Sequence, residues 1–291
     1  MEYFLQQVLN ALMTGSVYAL VAVGFTLVFG TLKVVNMSHP EVCMVGAFTG
    51  LMVIVNLRGD FFVALLGAMI VAAVLGVIIN FLAVRPTLKG GAHGPLLATM
   101  GVSIILQNVV ARIAGSNPVS LPSLLGRKAI HMGPFVFSAA SLIGLIVAIV
   151  LMGLLTYYIW RTKAGMAIRA TAENPVIAEC LGVNTGVTFV VSFAVSSALG
   201  GAAGLLIGGT YGFAWAFMGV RFGNIAMIST IIGGLGSVPG AVVASLGVGL
   251  IETLAQAYGL GTYREAILYT VLIVILVSRP AGLFGKTVTM E

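Results

Sequence analysis

Charged residues are scarce in this chain, and their scarcity excludes a water-soluble fold. Of its 291 residues, 8% are Asp, Glu, Lys or Arg, whereas 59% are apolar. Soluble domains carry about 25% charged residues. A soluble protein of this length has too little polar surface to cover so many apolar side chains, so lipid must be the solvent for most of the chain.

Histidine, cysteine and acidic residues are also few, which argues against a metal centre, a disulfide framework or a hydrolytic site. His39, His93 and His131 are far apart and show no metal-binding spacing. Cys43 and Cys180 have no obvious partner, so we expect reduced thiols. With eight acidic residues and no G-x-S-x-G motif, we predict that the chain is not an enzyme and binds no cofactor or metal.

The basic residues do not indicate a nucleic-acid or nucleotide site. The net charge is +6, but Lys and Arg stand singly at the ends of apolar runs, as in membrane proteins. Gly285-Lys286-Thr287 resembles the end of a phosphate-binding loop, but the required earlier glycine is replaced by Pro280. We therefore predict no nucleic-acid partner and no nucleotide bound by this chain.

Long apolar runs predict an all-α, polytopic membrane bundle that forms one domain over residues 1–291. A bilayer-spanning helix needs about 20 apolar residues. Runs of about this length lie at 8–29, 41–57, 61–83, 95–114, 135–160, 187–210 and 265–279. Two less regular segments, 223–235 and 238–257, flank a Gly-rich break, so the chain has eight or nine spans. Glu2 and the length of the first run exclude a cleaved signal peptide.

Basic residues favour an inner-membrane protein with its N-terminus outside and its C-terminus in the cytoplasm. In that orientation the cytoplasmic residues are Lys33, Arg85, Lys89, Arg161, Lys163, Arg169, Arg279 and Lys286. The outer residues are Arg58, Arg112, Arg127, Lys128, Arg221 and Arg264.

A polar segment, residues 161–186, interrupts the membrane pattern and is here called the docking loop. Asn174 is suited to cap a helix, Pro175 to begin it, and Gly182 to follow its end. Between them, apolar residues at helical spacing form one stripe: Val176, Ile177, Cys180 and Leu181. So short a helix is not stable alone, so we predict that this docking helix binds a partner protein.

Polar residues near the second and fourth spans are candidates for a translocation path. Asn36, Ser38, His39 and Glu41 precede or open the second span, and Pro40 suits the first helical position. We favour helix capping, with Glu41 at the positive end of the helix dipole. The alternative is a helix that starts within the membrane and offers free amide groups to a carboxylate.

Three amide side chains, Asn80, Gln107 and Asn108, lie within or at the end of apolar runs. They either bond a neighbouring helix or line a wet path. In both cases we expect them to face the bundle.

Glycine is abundant, at 38 residues, and is concentrated in two regions. Small residues that recur every four positions predict a close helix contact, with exposure to a path as the alternative; they are Gly200, Gly201, Gly204, Gly208, Gly209 and Gly212. The second region, Gly233, Gly234, Gly236 and Ser237 before Pro239, predicts non-helical backbone of the kind that transporters use to bind polar substrates.

Two loops on the opposite side from the docking loop are rich in turn-forming or aromatic residues. Residues 114–134 contain three proline-bearing turns, so we expect irregular structure rather than a helix. Residues 211–220 alternate Phe213, Trp215 and Phe217. An interfacial aromatic girdle is the favoured interpretation, and a seat for an extracytoplasmic partner is the alternative.

Taken together, these segments resemble the permease subunit of branched-chain amino-acid ABC importers in its shorter, LivH-like form. The resemblance covers essentially the whole chain. It rests on YALVAVGFTLVFG at 18–30, NMSHPEV at 36–42, AENP at 172–175, LGVN at 181–184 and GGLGSVPG at 233–240.

The resemblance implies a complex with two cytoplasmic ATPase subunits, a second and usually non-identical permease, and an extracytoplasmic substrate-binding protein. ATP and Mg would then bind the ATPases. The docking loop would be the coupling segment, its residues being Glu173, Asn174, Pro175, Val176, Ile177, Glu179, Leu181 and Gly182. Within it, the two glutamates would pair with basic groups of the ATPase and the apolar residues would fill its groove.

Three alternatives remain at this point. An importer of the same class could carry urea or short amides, because an external binding protein does much of the selecting. A secondary transporter or channel would work without ATP, although few charged groups lie inside spans to bind ions. A membrane scaffold would not need the Gly-rich break.

Overall fold

The computed structural model describes residues 1–57, 59–88, 91, 93–121 and 129–285. In this part of the chain eight helices are long and apolar enough to cross a membrane, and a shorter apolar helix covers Met218–Gly233. The prediction of an all-α membrane bundle of eight or nine spans is confirmed. Five of the basic residues assigned to a side, Arg58, Lys89, Arg127, Lys128 and Lys286, lie outside the described residues.

The helices follow the predicted runs closely. The first seven are α1 Glu2–Leu32, α2 His39–Asn56, α3 Phe61–Ile79, the single turn α4 Arg85–Thr87, α5 His93–Ala114, α6 Ala139–Arg161 and α7 Lys163–Glu173. The remainder are α8 Pro175–Cys180, α9 Thr185–Tyr211, α10 Met218–Gly233, α11 Val238–Ala257 and α12 Arg264–Ser278. A π-helical segment, Asn80–Val84, joins α3 to α4, and a 3-10 turn, Gly261–Tyr263, precedes α12.

Helix α1 runs through the centre of the bundle antiparallel to α11. Gly15 approaches the backbone of Leu246, and Gly30 approaches Gly236, at the start of α11. At the other end of α1, the ring of Tyr3 packs edge-on against Tyr258. We call the end of the bundle at Gly30 and Gly236 the docking end, because the docking loop lies there, and the opposite end the far end.

Glycines of α9 bring α2 and α3 into backbone contact with it. A Cβ on Gly204 would collide with the carbonyl oxygen of Cys43, and one on Gly201 with the backbone of Ala68. Gly200 and Gly208 also have close neighbours, whereas Gly209 has no atom within 4 Å of a built Cβ. The predicted close packing is therefore confirmed for most of this run. Gly212 has a different role, since it ends α9 in the left-handed conformation with φ 80°.

Four short strands lie at the far end in place of the wholly irregular loop that the sequence predicted. Val119–Ser120 pairs antiparallel with Phe213–Ala214, so the segments 114–134 and 211–220 are joined. A second hairpin pairs Ala129–Met132 with Phe135–Ser138. The expectation of no helix holds for the described part of 114–134, while residues 122–128 lie outside the described part.

Two helices contribute little to the core of the protomer. In α5, all 22 residues of which are described, Pro95 and Thr99 are buried. In α12, Leu268 is the buried residue of 15. Both helices therefore present most of their apolar surface to lipid or to another chain.

Candidate functional site

The docking helix, α8, is formed by local capping interactions. The Asn174 side chain accepts hydrogen bonds from the backbone amides of Val176 (3.0 Å) and Ile177 (3.1 Å), and Pro175 begins the helix. At its end, Gly182 has φ +83° and its amide donates to Glu179, while the amide of Val183 donates to Ala178. This pair of bonds is a Schellman motif. The predicted cap, first-turn proline and terminal glycine are all in place.

The apolar stripe of α8 points away from the protein. Val176 is 68% exposed, Ile177 57% and Leu181 77%, whereas Ala178 is buried against the bundle. Cys180 and both glutamates, Glu173 and Glu179, are also exposed. Contiguous apolar side chains beyond the ends of the spans mark a protein-binding surface. The sequence did not predict α7, which joins α6 to this helix and begins at a Thr162 cap.

A cleft of about 560 Å³ lies beside α8 at the docking end. It is bounded by Arg85, Leu88, Glu179, residues 182–186 and Phe189. Arg85 donates a 2.8 Å hydrogen bond to the carbonyl oxygen of Gly186, and Glu179 accepts one from the Thr185 hydroxyl. These contacts tie the docking loop to α4 and α9. Arg85 was predicted only as a cytoplasmic charge, and sequence gave no signal for this contact.

Helix α2 begins deep within the bundle. The His39 ring packs edge-on against Phe25, with centroids 4.8 Å apart, and lies beside Gly24. Helix α1 continues for about 12 Å beyond Gly24, since each residue adds about 1.5 Å. Residues 33–38 therefore turn back into the bundle before α2 starts, as the alternative interpretation of this segment required.

The amides at the start of α2 already have acceptors, which argues against the alternative interpretation that they are free to bind a carboxylate. Met37 donates to Thr99 (3.0 Å), Ser38 to the Asn36 side chain (3.1 Å) and His39 to the Asn36 carbonyl (3.3 Å). The amides of Glu41 and Val42 donate to Ser38. Ser38 occupies the cap position, Pro40 lies in the first turn and Glu41 is the acidic residue of that turn, as the favoured capping interpretation predicts. The Ser38 hydroxyl, however, donates to Asn36 instead of accepting from the helix.

Glu41 lies between three helices and is 1% exposed. Its Oε1 accepts hydrogen bonds from Gln107 Nε2 (2.8 Å) and Ser103 Oγ (3.2 Å) of α5. Its Oε2 has no hydrogen-bond partner among the described residues. That oxygen lies against Gly219 in the first turn of α10, where a Cβ would collide with it. Glu41 thus joins α2 to α5 and α10, and it also lies in the first turn of its own helix, at the positive end of the helix dipole. Ser103 was missed because a lone serine in an apolar run carries no distinctive signal.

The predicted amide residues do not all face the bundle. Gln107 does, since it bonds Glu41 and Ser103. Asn108 is exposed and bonds the Ile104 carbonyl of its own helix, which corrects that prediction. Neighbouring helical residues are about 100° apart, so they cannot both face α2. Asn80 is fully buried at the start of the π-helical segment, and neither amide atom has a partner in the described part of the chain.

The Gly-rich break lies at the docking end, not at the centre of a span. Gly233 and Gly234 are buried, and the C-terminal segment packs on them, with Phe284 donating to the Gly233 carbonyl (3.1 Å). Gly236 is next to Gly30, and Ser237 caps α11 by accepting from the Gly240 amide at 3.2 Å. The interruption of the helix is confirmed, while contact of these residues with a cargo stays a prediction.

A second buried carboxylate, Glu252, forms an ion-pair network near the far end. It is 2% exposed and lies 3.2 Å from Arg221 and 3.8 Å from Arg264. Tyr18 donates a 2.7 Å hydrogen bond to its other oxygen and lies 3.1 Å from the hydroxyl of Tyr211. The sequence placed the two arginines on one side of the membrane but gave no sign that they converge on one acid, because they lie on different helices.

Comparisons with known proteins agree with this arrangement. Residues 7–276 match the family model described as "Branched-chain amino acid transport system / permease component". The chain is 34% identical over 296 residues to the high-affinity branched-chain amino acid transport system permease protein LivH of Escherichia coli K12, covering 98% of this chain and 96% of that protein. It is 35% identical to LivH of Salmonella typhimurium LT2, with the same coverage.

A third relative is the permease protein BraD of Pseudomonas aeruginosa PAO1, which is 32% identical over 304 residues, covering 98% of this chain and 96% of BraD. No solved structure was found to match the chain. The family match covers most of the chain, and the relatives align along nearly their whole length. The chain therefore belongs to the permease component family of branched-chain amino acid transport systems.

Proposed function

We propose that this chain is the membrane-spanning permease subunit of an ATP-driven importer that carries branched-chain amino acids. The observation that carries the proposal is the apolar face of α8, whose Val176, Ile177 and Leu181 are exposed outside the spans. A permease that works through a separate ATPase needs such a face. The names of the relatives support branched-chain amino acids over urea or short amides. The exposed apolar face of α8 supports an ATP-driven system over an ion-coupled one.

A displacement of α8 is transmitted to the bundle through α9. The Schellman motif ends α8, and the Asn184 side chain then caps α9 by accepting from the Val187 amide at 3.1 Å. Two capped helices with so short a connection move together. Because Gly201 and Gly204 hold α9 against α3 and α2, a displacement of α8 is passed to helices near Glu41. Packed interfaces of this kind switch between discrete arrangements.

The remaining partners follow from the same assignment. Two cytoplasmic ATPase subunits bind ATP and Mg and dock on α8, with Glu173 and Glu179 facing their basic groups. A second, non-identical permease and lipid cover the outer faces of the bundle. A binding protein delivers the amino acid at the far end, which faces the outside. The N-terminus is then outside, and the docking loop and C-terminus are in the cytoplasm of an inner-membrane protein, with no nucleic acid involved.

The substitution Leu181→Asp tests the proposal. It places a charge at the centre of the docking face, where an apolar hot-spot side chain contributes about 2 kcal/mol or more to binding. In the complete importer reconstituted in proteoliposomes, we expect ATP-driven leucine uptake to fall at least about tenfold. The variant should still insert and keep its thermal stability, because Leu181 is 77% exposed.

Two matched variants serve as controls. Leu181→Met keeps an apolar side chain and should retain ATPase co-purification. Leu260→Asp changes an exposed leucine at the far end, 47% exposed, and should also retain it. Wild-type uptake and ATPase binding by Leu181→Asp would contradict the assignment of α8.

A further inference from the structure

Glu41 is a buried carboxylate with no balancing cation in the part of the chain that the structure describes. Within the described residues, the ion pairs found are both made by Glu252, and none includes Glu41. The contacts of its Oε1 are with neutral groups, a serine hydroxyl and a glutamine amide. Its Oε2 is buried, and no residue that the structure describes forms a hydrogen bond with it. A carboxylate that is to stay ionised away from water requires a compensating positive group.

The first turn of α10 supplies a part of that compensation. Gly219 belongs to this turn, and its missing side chain lets the carboxylate approach the positive end of the helix dipole. The partial charge at a helix end is about half an elementary charge. The partial charge therefore offsets the burial of the carboxylate only in part, and one carboxylate oxygen is left available to a cation.

On the side of α5, half-buried side chains cover the Glu41 carboxylate. Ser103 and Gln107 are half-buried residues of α5, and they separate Glu41 from the outer face of the protomer. Helix α5 is fixed mainly near its start, where Pro95 and Thr99 are buried and Thr99 accepts from the Met37 amide. A displacement of the rest of α5 would open the Glu41 carboxylate, and it would separate half-buried side chains such as Val102 and Leu106 from the core.

We propose that Glu41 binds the α-ammonium group of the amino acid during its passage, with Ser103 and Gln107 as polar neighbours. This role rests on the proposed function, since it takes the cargo to be an amino acid. An ammonium group carries three N–H donors and no acceptor, which matches a carboxylate with an unused oxygen. The occupied site then satisfies both the orphan oxygen and the buried negative charge. Urea and short amides lack the positive charge that this site requires.

The test compares Glu41→Gln with wild type in the complete importer, reconstituted in proteoliposomes with radiolabelled leucine. Glutamine keeps the volume and can still accept the hydrogen bonds from Ser103 and Gln107, but it has no charge. We expect the maximal uptake rate to fall at least tenfold, while the half-saturating leucine concentration, set by the binding protein, stays within twofold. Thermal stability and co-purification of the second permease should not change.

Two further variants separate charge from packing. Glu41→Asp keeps the charge and should retain more uptake than Glu41→Gln. Thr156→Ala alters an exposed polar residue of α6 that bonds only its own helix in the described contacts, and it should transport at the wild-type rate.

Uptake by Glu41→Gln within twofold of wild type would overturn this role. Loss of the second permease from the Glu41→Gln complex would also overturn it, because the balancing cation would then come from that partner. A wild-type complex that hydrolyses ATP but accumulates no leucine would count against the proposed function, and this role would fall with it.

Discussion

At the scale of single residues, the chain contains two buried carboxylates in opposite electrostatic situations. Glu252 has two arginines within 4.0 Å and a tyrosine hydroxyl at 2.7 Å. Glu41 has neutral hydrogen-bond donors and one unpartnered oxygen. A buried charge is tolerated when it is paired. Glu252 is therefore suited to hold helices together, and Glu41 to meet a transient cation.

The structural role of Glu252 leads to a stability prediction. Glu252→Gln preserves the side-chain volume but leaves Arg221 and Arg264 without their counter-charge. We expect a loss of about 1–3 kcal/mol, the range for hydrogen bonds to charged groups. The lower part of that range is favoured because both arginine side chains are 26% exposed and partly screened by water. Thermal unfolding of the purified chain in detergent measures the effect.

A matched acid on the neighbouring helix provides the control for that measurement. Glu265 lies in the first turn of α12 and is exposed. Glu265→Gln should unfold at the wild-type temperature. Equal unfolding temperatures for both variants and wild type would show that the ion pairs around Glu252 contribute nothing to stability.

Residue-level roles were only partly predictable from the sequence. Asn174, Pro175 and Gly182 were placed correctly because capping depends on neighbours within four residues. The partners of Glu41 and Glu252 were not predictable, since they lie on other helices whose rotation the sequence does not specify. Asn108 shows the same limit: a polar residue in an apolar run can bond its own helix and face outward.

At the scale of helices, glycine replaces the hydrophobic drive that lipid removes. Apolar side chains gain little by leaving lipid for protein, so close packing must hold the spans together. Helix α9 meets this need with Gly200, Gly201 and Gly204, which allow α2 and α3 to approach its backbone. The spacing of four residues made this face visible in the sequence, because it keeps the glycines on one side of the helix.

The packing role of these glycines predicts opposite results for one substitution made at two positions of α9. In Gly204→Ala the new Cβ would meet the carbonyl oxygen of Cys43, so α2 must move. We expect a destabilisation of about 1–3 kcal/mol, typical of overpacking. In Gly209→Ala the new Cβ meets nothing within 4 Å, and alanine is the better helix former by about 1 kcal/mol.

Thermal unfolding of the two variants in the same detergent tests whether the two substitutions change the stability in opposite directions. Gly204→Ala should unfold below wild type, and Gly209→Ala at or above it. Equal values for the two variants would mean that backbone approach at Gly204 does not limit the stability of the bundle.

The positions of the helices along the sequence were far more predictable than the depth within the bundle at which each helix begins. The apolar runs placed every long span, because the bilayer imposes a minimum length on each. Two features were not accessible in this way. The re-entry of residues 33–38 towards Gly24 depends on packing against α1 and α9, and the π-helical segment at Asn80–Val84 is a local change in hydrogen bonding within an ordinary apolar sequence.

At the scale of the whole molecule, the described part of the chain has exposed surfaces that are suited to contact other chains. Most of α5 is exposed in the protomer, including the half-buried Gln107 beside Glu41 and the exposed Asn108. Polar groups within a span are energetically unfavourable in contact with lipid. This face of α5 is therefore better suited to contact a second permease or to line a water-filled path. The exposed apolar residues of α8 lie beyond the spans and require a different partner, in water.

The proposed orientation places α8 in the cytoplasm and the far end outside, and the native cysteines can test it. Cys180 is exposed on α8, whereas Cys43 is buried at 2% exposure. A membrane-impermeant maleimide added to intact cells should therefore leave the chain unlabelled. After permeabilisation it should label Cys180, and label it less when the ATPases are co-expressed, since they would cover α8.

The control for that experiment moves the thiol to the far end. Tyr263→Cys in a Cys180→Ser background introduces a thiol at a position that is 63% exposed, and it should react in intact cells. The positive-inside rule gave only a small majority of basic residues at the docking end, because two arginines, Arg221 and Arg264, belong to an internal ion-pair network instead. Labelling of Cys180 in intact cells would reverse the orientation. It would also remove α8 from the reach of any cytoplasmic ATPase.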